Sequence, residues 1–184
     1  MKRFFSLFLA LIMTFSLVSC GGNKDEDNKE TKPEESVEDS DPHENYAPDF
    51  KVYDGEGKEV TLHETIGDKP IVINLWGVWC NPCVSELPAF QTIYEEYGDR
   101  VEFMMVHSDG GYRVKDSEIA ELIDSNSYTF PVYYDLDYSV SAVYSITAFP
   151  TSIFIDKNGE LVKLHQGMMD ADTLRTYLDG LLEG

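Results

Sequence analysis

The sequence predicts an α/β domain in which a central mixed β-sheet is flanked by helices. Three observations support this architecture: two nearly continuous apolar runs at 71–76 and 101–107, a helical pattern after each of them, and a hairpin pattern near the C-terminus. Apolar runs of this length are typical of strands that are buried on both faces. Strands that alternate with helices along the chain are typical of layered α/β structures.

The first half of the domain contains a hairpin, a buried strand and a long helix. Two short extended segments at 50–53 and 59–62 flank a glycine-rich turn, which predicts an N-terminal β-hairpin extension. The apolar strand at 71–76 leads directly into a helical pattern over 80–97. Pro88 falls inside this helix, where we expect it to introduce a kink.

The second half adds a helical insertion and a second hairpin. Ile119, Leu122 and Ile123 lie on one face of the inserted helix. The sequence Lys157-Asn158-Gly159 between two extended segments is a strong hairpin signal. The expected order is strand, helix, short extended piece, weak helix, hairpin and closing helix, at 101–107, 116–125, 131–134, 138–144, 151–165 and 171–182.

The N-terminal segment is expected to direct export of the protein. Two basic residues precede an apolar run at 4–18, which is too short for a typical membrane-spanning helix and suits a secretory signal. The run ends in Leu-Val-Ser-Cys at 17–20, which resembles the lipobox of bacterial lipoproteins. This resemblance implies cleavage before Cys20 and a lipid on its thiol. A secreted protein with an unmodified Cys20, or an uncleaved anchor, is the alternative.

We therefore expect a signal peptide at 1–19, a lipidated cysteine with a tether at 20–45, and one domain at 46–184. The tether contains one aliphatic residue, Val37, and so cannot bury enough apolar surface to become ordered. The whole chain has a net charge of −20, and residues 46–184 carry −15 of it. Nucleic-acid binding is not expected because no basic face is present. Anionic lipid would repel the domain, so the lipid on Cys20 would hold it at the membrane.

Cys80 and Cys83 are the only pair that remains if Cys20 is acylated. A bridge between them would close almost no loop and would add little stability. At the junction of a strand and a helix, the helix dipole and free N–H groups favour a thiolate at Cys80. Cys80 is the expected nucleophile, and Cys83 is one turn further on to resolve a mixed disulfide. Pro82 falls in the first turn, where its missing N–H costs little.

Metal binding is the alternative use of the cysteine pair. A zinc site would normally need two further ligands, and the histidines of the chain show no ligand spacing. Copper needs fewer ligands, because two thiolates and one histidine can hold it. His107, at the end of a predicted strand, is the candidate third ligand, although a local hydrogen bond is its simpler role. No metal or other cofactor is part of the main interpretation.

The segment INLWGVWCNPCVSELPAF resembles the thioredoxin superfamily, and more closely the membrane-tethered TlpA/ResA-like thiol–disulfide oxidoreductases. The resemblance covers about 46–184 and rests on motifs that match in order: Ala-Pro-Asp-Phe at 47–50, Trp-Cys-Asn-Pro-Cys at 79–83, Glu86 with Pro88, and Phe-Pro-Thr at 149–151. It implies a thioredoxin-like fold. It also implies that the peptide bond before Pro150 is cis and that Pro150 faces Cys80. This arrangement would expose the Phe149 backbone to a substrate chain. Without the resemblance, Pro150 would simply begin a strand.

Three further residues receive roles beside the pair. Glu86 shares a helix face with Cys83, and a carboxylate there can raise thiol pKa values and move protons. The resemblance implies this role, and a solvated helix glutamate is the alternative. Ordinary thioredoxins carry a buried aspartate where this chain has Asn74, whose amide cannot accept a proton, so the proton role shifts to Glu86. Trp79 is expected to shield the cysteines and contact the substrate.

The sequence thus indicates an extracytoplasmic, monomeric oxidoreductase that exchanges dithiol for disulfide. The family resemblance implies a reductase supplied with electrons by a membrane thiol transporter of the CcdA/DsbD kind. Its substrates would be disulfides of exported proteins, such as apocytochrome c or an exported methionine sulfoxide reductase. The alternatives are an oxidant that installs disulfides, a copper carrier, and a peroxidase of the same fold. The peroxidase is disfavoured because Cys80 has a resolving partner and no Thr-x-x-Cys motif.

Overall fold

The computed structural model describes residues 45–184, so the predicted signal peptide, Cys20 and the tether up to residue 44 lie outside the described part. The strands are β1 Lys51–Tyr53, β2 Glu59–Thr61, β3 Ile71–Trp76, β4 Glu102–His107, β5 Val132–Tyr134, β6 Thr151–Ile155 and β7 Leu161–Gln166. The helices are α1 Leu62–Thr65, α2 Asn81–Tyr97, α3 Asp116–Ser125, α4 Ser139–Val143 and α5 Ala171–Glu183. No helix among these is long and apolar enough to cross a bilayer.

The seven strands form one mixed sheet in the order β2-β1-β5-β4-β3-β6-β7. Strands β3, β4 and β5 run parallel to one another, whereas β6 is antiparallel to β3 and β7 is antiparallel to β6. The N-terminal hairpin of β1 and β2 joins the sheet through β5. All six residues of β3 are buried, as the apolar run predicts for a central strand. The predicted mixed sheet, N-terminal hairpin and helical insertion are confirmed.

Side chains of β3 alternate between two hydrophobic cores, because successive residues of a strand point to opposite faces. Val72 and Trp76 pack with residues of α2, α3 and α5 on one face. Ile73 and Leu75 pack with residues of α1 and α4 on the other face. Asn74 therefore lies on the α2 face of the strand, between two apolar neighbours. This position decides which helix its amide can reach.

The predicted end of the second hairpin strand, at residue 62, is wrong by one residue. The second strand of the hairpin stops at Thr61, and Leu62 begins the short helix α1 instead of ending the strand. The Thr61 side chain accepts a hydrogen bond from the backbone N–H of Glu64 at 3.3 Å, which is an N-cap that stabilises a helix start. The long helix matches its predicted span, and α2 is continuous through Pro88.

Candidate active site

The cysteine pair is joined as a disulfide at the start of α2. Cys80 is the N-cap residue, and its sulfur accepts a hydrogen bond from the backbone N–H of Cys83 at 3.3 Å. Cys80 is 6% exposed, whereas Cys83 is completely buried. After reduction, the helix N-terminus would favour a thiolate at Cys80, which is the sulfur that a partner can reach. Pro82 falls in the first turn of α2, as predicted.

The Phe149–Pro150 peptide bond is cis, as the resemblance implies. Pro150 is buried and directly precedes β6, whose neighbour in the sheet is β3. The Phe149 ring contacts the indole of Trp79, with ring centroids 5.2 Å apart. Because Trp79 directly precedes Cys80 in the chain, this contact holds the cis-proline loop next to the cysteine pair.

Trp79 is the centre of an aromatic surface beside Cys80. Its indole N–H donates to the backbone carbonyl of Ser108 at 2.9 Å, which fixes the ring. Its other neighbour is Tyr112, whose ring lies 4.8 Å away at an interplanar angle of 30°. Tyr112 is 67% exposed and extends the surface of Trp79 and Phe149 toward solvent. Tyr112 is not among the predicted site residues, since its one mark in the sequence is that it follows two glycines and no periodic pattern includes it.

The loop after β4 is shaped to reach Trp79. Gly110 adopts a positive φ of 57° and lies so close to the indole that an added Cβ would be 2.5 Å from a ring carbon. The Asp109 carboxylate accepts hydrogen bonds from the Tyr138 hydroxyl and, at 2.7 Å, from the Gly111 backbone N–H. These contacts connect the loop to the start of α4 and keep Tyr112 against Trp79.

Substitution of Gly110 by alanine is expected to displace Trp79 and weaken substrate binding. Alanine at a positive φ costs about 1 kcal/mol by itself, and the clash with the indole adds roughly 1–3 kcal/mol. Gly111 is the matched control, because it has a φ of 83° but no atom within 4 Å of an added Cβ. Steady-state kinetics should show a raised KM for Gly110→Ala and little change in KM for Gly111→Ala. Thermal unfolding should show the larger loss of stability in Gly110→Ala. Equal KM values in the two variants would contradict this packing argument.

Glu86 lies one helical turn after Cys83 and is 3% exposed, so the alternative of a solvated helix glutamate is wrong. Its Oε1 accepts a hydrogen bond from the Asn74 amide at 2.8 Å, and its Oε2 accepts one from the Met169 backbone N–H at 3.1 Å. Burial raises the pKa of Glu86 to about 7, and the two hydrogen bonds oppose this rise. A group with this pKa can accept and release protons near neutral pH.

A groove of about 540 Å³ borders Glu86 on the solvent side. Its lining combines the exposed surface of α2 with the segment that leads into α5, namely Ser85, Pro88, Ala89, Met168, Met169, Asp170 and Ala171. The groove therefore connects the position of the buried carboxylate with the protein surface. Glu86 itself is among the residues that line this groove.

His107 is buried at the end of β4, and its hydrogen bond joins it to the segment just before the cysteine pair. Its Nε2 accepts from the backbone N–H of Val78 at 3.4 Å, and its ring packs edge-on against Trp76. Burial lowers the pKa of His107 to about 4, so its imidazole is neutral at physiological pH. Residues 45–184 contain no group of three or more His, Cys, Asp or Glu side chains that could hold a metal ion.

A slightly exposed cysteine joined to a fully buried one at a helix start, on this sheet and beside a cis-proline loop, defines a thiol–disulfide oxidoreductase of thioredoxin-like fold. The chain belongs to the AhpC/TSA family, whose model matches residues 44–164. It is 33% identical over 180 residues to the thiol–disulfide oxidoreductase ResA of Oceanobacillus iheyensis, which covers 95% of this chain and 84% of that relative. It is 34% identical over 135 residues to ResA of Bacillus cereus, with 72% and 74% of the two chains covered.

Solved structures show the same fold. StoA of Bacillus subtilis superimposes with a TM-score of 0.61 at 26% identity, over 72% of this chain and 98% of the other. The exposed lipoprotein thioredoxin Etrx1 of Streptococcus pneumoniae gives a TM-score of 0.62 at 29% identity, over 73% and 100% of the two chains. The predicted thioredoxin-like fold is thereby confirmed.

Proposed function

We propose that this protein is a lipid-anchored, extracytoplasmic reductase of disulfides in exported proteins, with Cys80 as nucleophile and Cys83 as resolving thiol. The observation that carries the proposal is the asymmetry of the pair. Cys80 is at the helix N-terminus and is 6% exposed, whereas Cys83 is fully buried one turn away. A substrate can therefore reach only the first thiol, and the second acts from inside the protein.

The exchange proceeds in two steps that conserve atoms and electrons. The Cys80 thiolate attacks one sulfur of the substrate disulfide, forms a mixed disulfide and releases the other substrate sulfur as a thiolate. Cys83 then loses its proton and attacks the Cys80 sulfur, which closes the Cys80–Cys83 bond and releases the second substrate sulfur. We assign Glu86 as the acceptor of the Cys83 proton, because it is the buried carboxylate one turn further along α2. The substrate gains two electrons and two protons, and the protein dithiol is oxidised.

The aromatic surface of Trp79, Tyr112 and Phe149 is the proposed docking site for the substrate. Its rings are adjacent to Cys80, and Tyr112 offers a largely exposed face for an apolar side chain next to the substrate cysteine. The backbone before Pro150 would pair with the substrate main chain as an added strand. Main-chain pairing tolerates many sequences, so the aromatic rings would supply the selectivity.

The proposed location rests on the N-terminal sequence and on one relative, and the proposed direction of electron flow rests on the family resemblance alone. The segment ending at Cys20 supports a lipid anchor, and the relative Etrx1 of Streptococcus pneumoniae is itself described as an exposed lipoprotein. A membrane thiol transporter of the CcdA/DsbD kind would reduce the Cys80–Cys83 disulfide after each turnover. Apocytochrome c and an exported methionine sulfoxide reductase remain the candidate substrates.

Trapping in the native host tests this function. Full-length Cys83→Ser should accumulate mixed disulfides between Cys80 and its substrates, because the resolving step is blocked. The matched control is the Cys80→Ser, Cys83→Ser double variant, which should accumulate none. Rapid alkylation of the wild-type protein in cells should find mostly free thiols at Cys80 and Cys83. A mostly oxidised pair would instead indicate an oxidant that installs disulfides, and an absence of trapped partners would contradict the exchange mechanism.

A further inference from the structure

Asn74 directly contacts the carboxylate that is assigned to proton transfer. Its amide nitrogen donates one hydrogen to Glu86 Oε1 at 2.8 Å and the other to Ser152 Oγ at 3.0 Å. Asn74 and Ser152 face each other across the β3–β6 pairing, and both are completely buried. The polar cluster lies on the α2 face of the sheet, where the other β3 side chains are Val72 and Trp76. Apolar packing does not explain why a polar amide occupies this buried position.

The bonding of the amide indicates that Asn74 acts as a donor. Both of its N–H hydrogens are used, whereas its buried Oδ1 has no hydrogen-bond partner among the described residues. An unpaired buried carbonyl costs free energy. The side chain is thus poorly satisfied as an acceptor and fully satisfied as a donor. Its two acceptors are a hydroxyl, which belongs to the neighbouring strand, and a carboxylate, which belongs to the active-site helix.

Glu86 depends on such donors to stay ionised. Burial favours the neutral acid, and among residues 45–184 no charged neighbour contributes to the pKa shift of Glu86, although Asp170 lines the same groove. The two groups that favour the carboxylate are the Asn74 amide, which has the larger effect, and the Met169 backbone N–H. A substitution can remove the Asn74 amide, whereas the Met169 N–H belongs to the backbone and is present whatever the side chain.

We propose that Asn74 is a positioning residue for disulfide exchange: its amide holds Glu86 in place and keeps this buried carboxylate able to take the proton from Cys83. The inference rests on the proposed function, in which Glu86 receives that proton. The strand thus supplies a hydrogen-bond donor, Asn74, and the helix supplies the proton acceptor, Glu86. The pair of Asn74 and Glu86 would then act as one unit.

The test compares Asn74→Leu and Asn74→Val with the wild type. Leucine keeps the branched shape of the amide and valine is smaller, but neither side chain can donate a hydrogen bond, so both should raise the pKa of Glu86 by about one unit or more. This pKa is measured by carbon NMR of the Glu86 carboxyl in the oxidised protein, where no thiol at the pair titrates. The exchange rate at pH 7 should fall by about tenfold and recover toward the wild-type rate as pH rises.

Two controls separate the possible failures. Ser152→Ala removes the other acceptor of Asn74 and should leave the titration of Glu86 unchanged within about 0.3 units. If Glu86→Gln alters the pH profile but Asn74→Leu and Asn74→Val leave the Glu86 pKa at its wild-type value, the positioning role is wrong and the proposed function stands. If Glu86→Gln has a wild-type pH profile, the proton role of Glu86 itself is wrong. Should Asn74→Leu fail to fold, Asn74→Val decides the question, because it also lacks the donor and is smaller than leucine.

Discussion

Replacement of Cys80 by serine is expected to lower disulfide-exchange turnover by at least about a thousandfold. A serine hydroxyl is not ionised at neutral pH and cannot form a stable covalent bond to a substrate sulfur. Turnover of a fluorescent peptide disulfide, with dithiothreitol as the source of electrons, measures the loss. The thermal stability should change little, because a two-residue bridge contributes little to it.

Cys83→Ser is the matched control for this expectation, because it removes the other half of the same bridge. Its Cys80 thiolate should still attack one peptide disulfide per molecule in a single turnover, and then stop as the mixed disulfide. A Cys80→Ser protein with more than a few per cent of wild-type activity would show that the accessible sulfur is not the nucleophile. If Cys83→Ser keeps more than a few per cent of wild-type activity under multiple turnover, this shows only that free thiols in solution can resolve its mixed disulfide.

Replacement of Glu86 by glutamine is expected to lower the exchange rate at neutral pH by about a hundredfold, in the range typical of a lost general base. It should also change how stability depends on pH. The folded-state pKa of Glu86 is about 7 and its ordinary value is 4.5, so the folded state holds its proton more tightly than the unfolded chain. This contribution to stability is fully present below pH 4.5 and is lost as the pH rises through 7.

A pKa difference of this size corresponds to about 3 kcal/mol. The free energy of unfolding of the wild type should thus fall by about 3 kcal/mol relative to that of Glu86→Gln between pH 4 and pH 8. Denaturant unfolding of the two proteins at each pH measures the difference and cancels the titration of the other carboxylates. Parallel stability curves would contradict a raised pKa. Unchanged exchange kinetics with divergent stability curves would show a buried acid that takes no part in the reaction.

The fold could be predicted in large part from the sequence because its signals are local. Apolar content alone predicts a buried strand at 71–76, and the structure confirms both ends of β3. The same holds for α3, whose limits match the predicted helical spacing at 116–125. The cis bond before Pro150 was not visible in the local sequence. The family resemblance implies it, because a proline in the sequence permits a cis bond but does not show whether the bond is cis or trans.

Contacts between distant residues could not be predicted in the same way. Asn74 and Glu86 were each singled out, but their hydrogen bond depends on which face of β3 meets α2. A partial signal existed, because Cys83, Leu87 and Phe90 recur at helical spacing and place Glu86 beside the buried stripe of the helix. Tyr112 had no such signal. Its contact with Trp79 arises from a loop with positive φ angles, and loop geometry of that kind is not encoded in any simple periodicity.

The position of Trp79 gives the protein a built-in optical reporter. The chain has two tryptophans, and Trp76 is sealed in the core while Trp79 is partly open to solvent and directly adjoins Cys80. A neighbouring disulfide quenches indole emission, so reduction of the pair should brighten the fluorescence without any attached dye. Redox titrations and stopped-flow traces can then follow the unmodified molecule in real time.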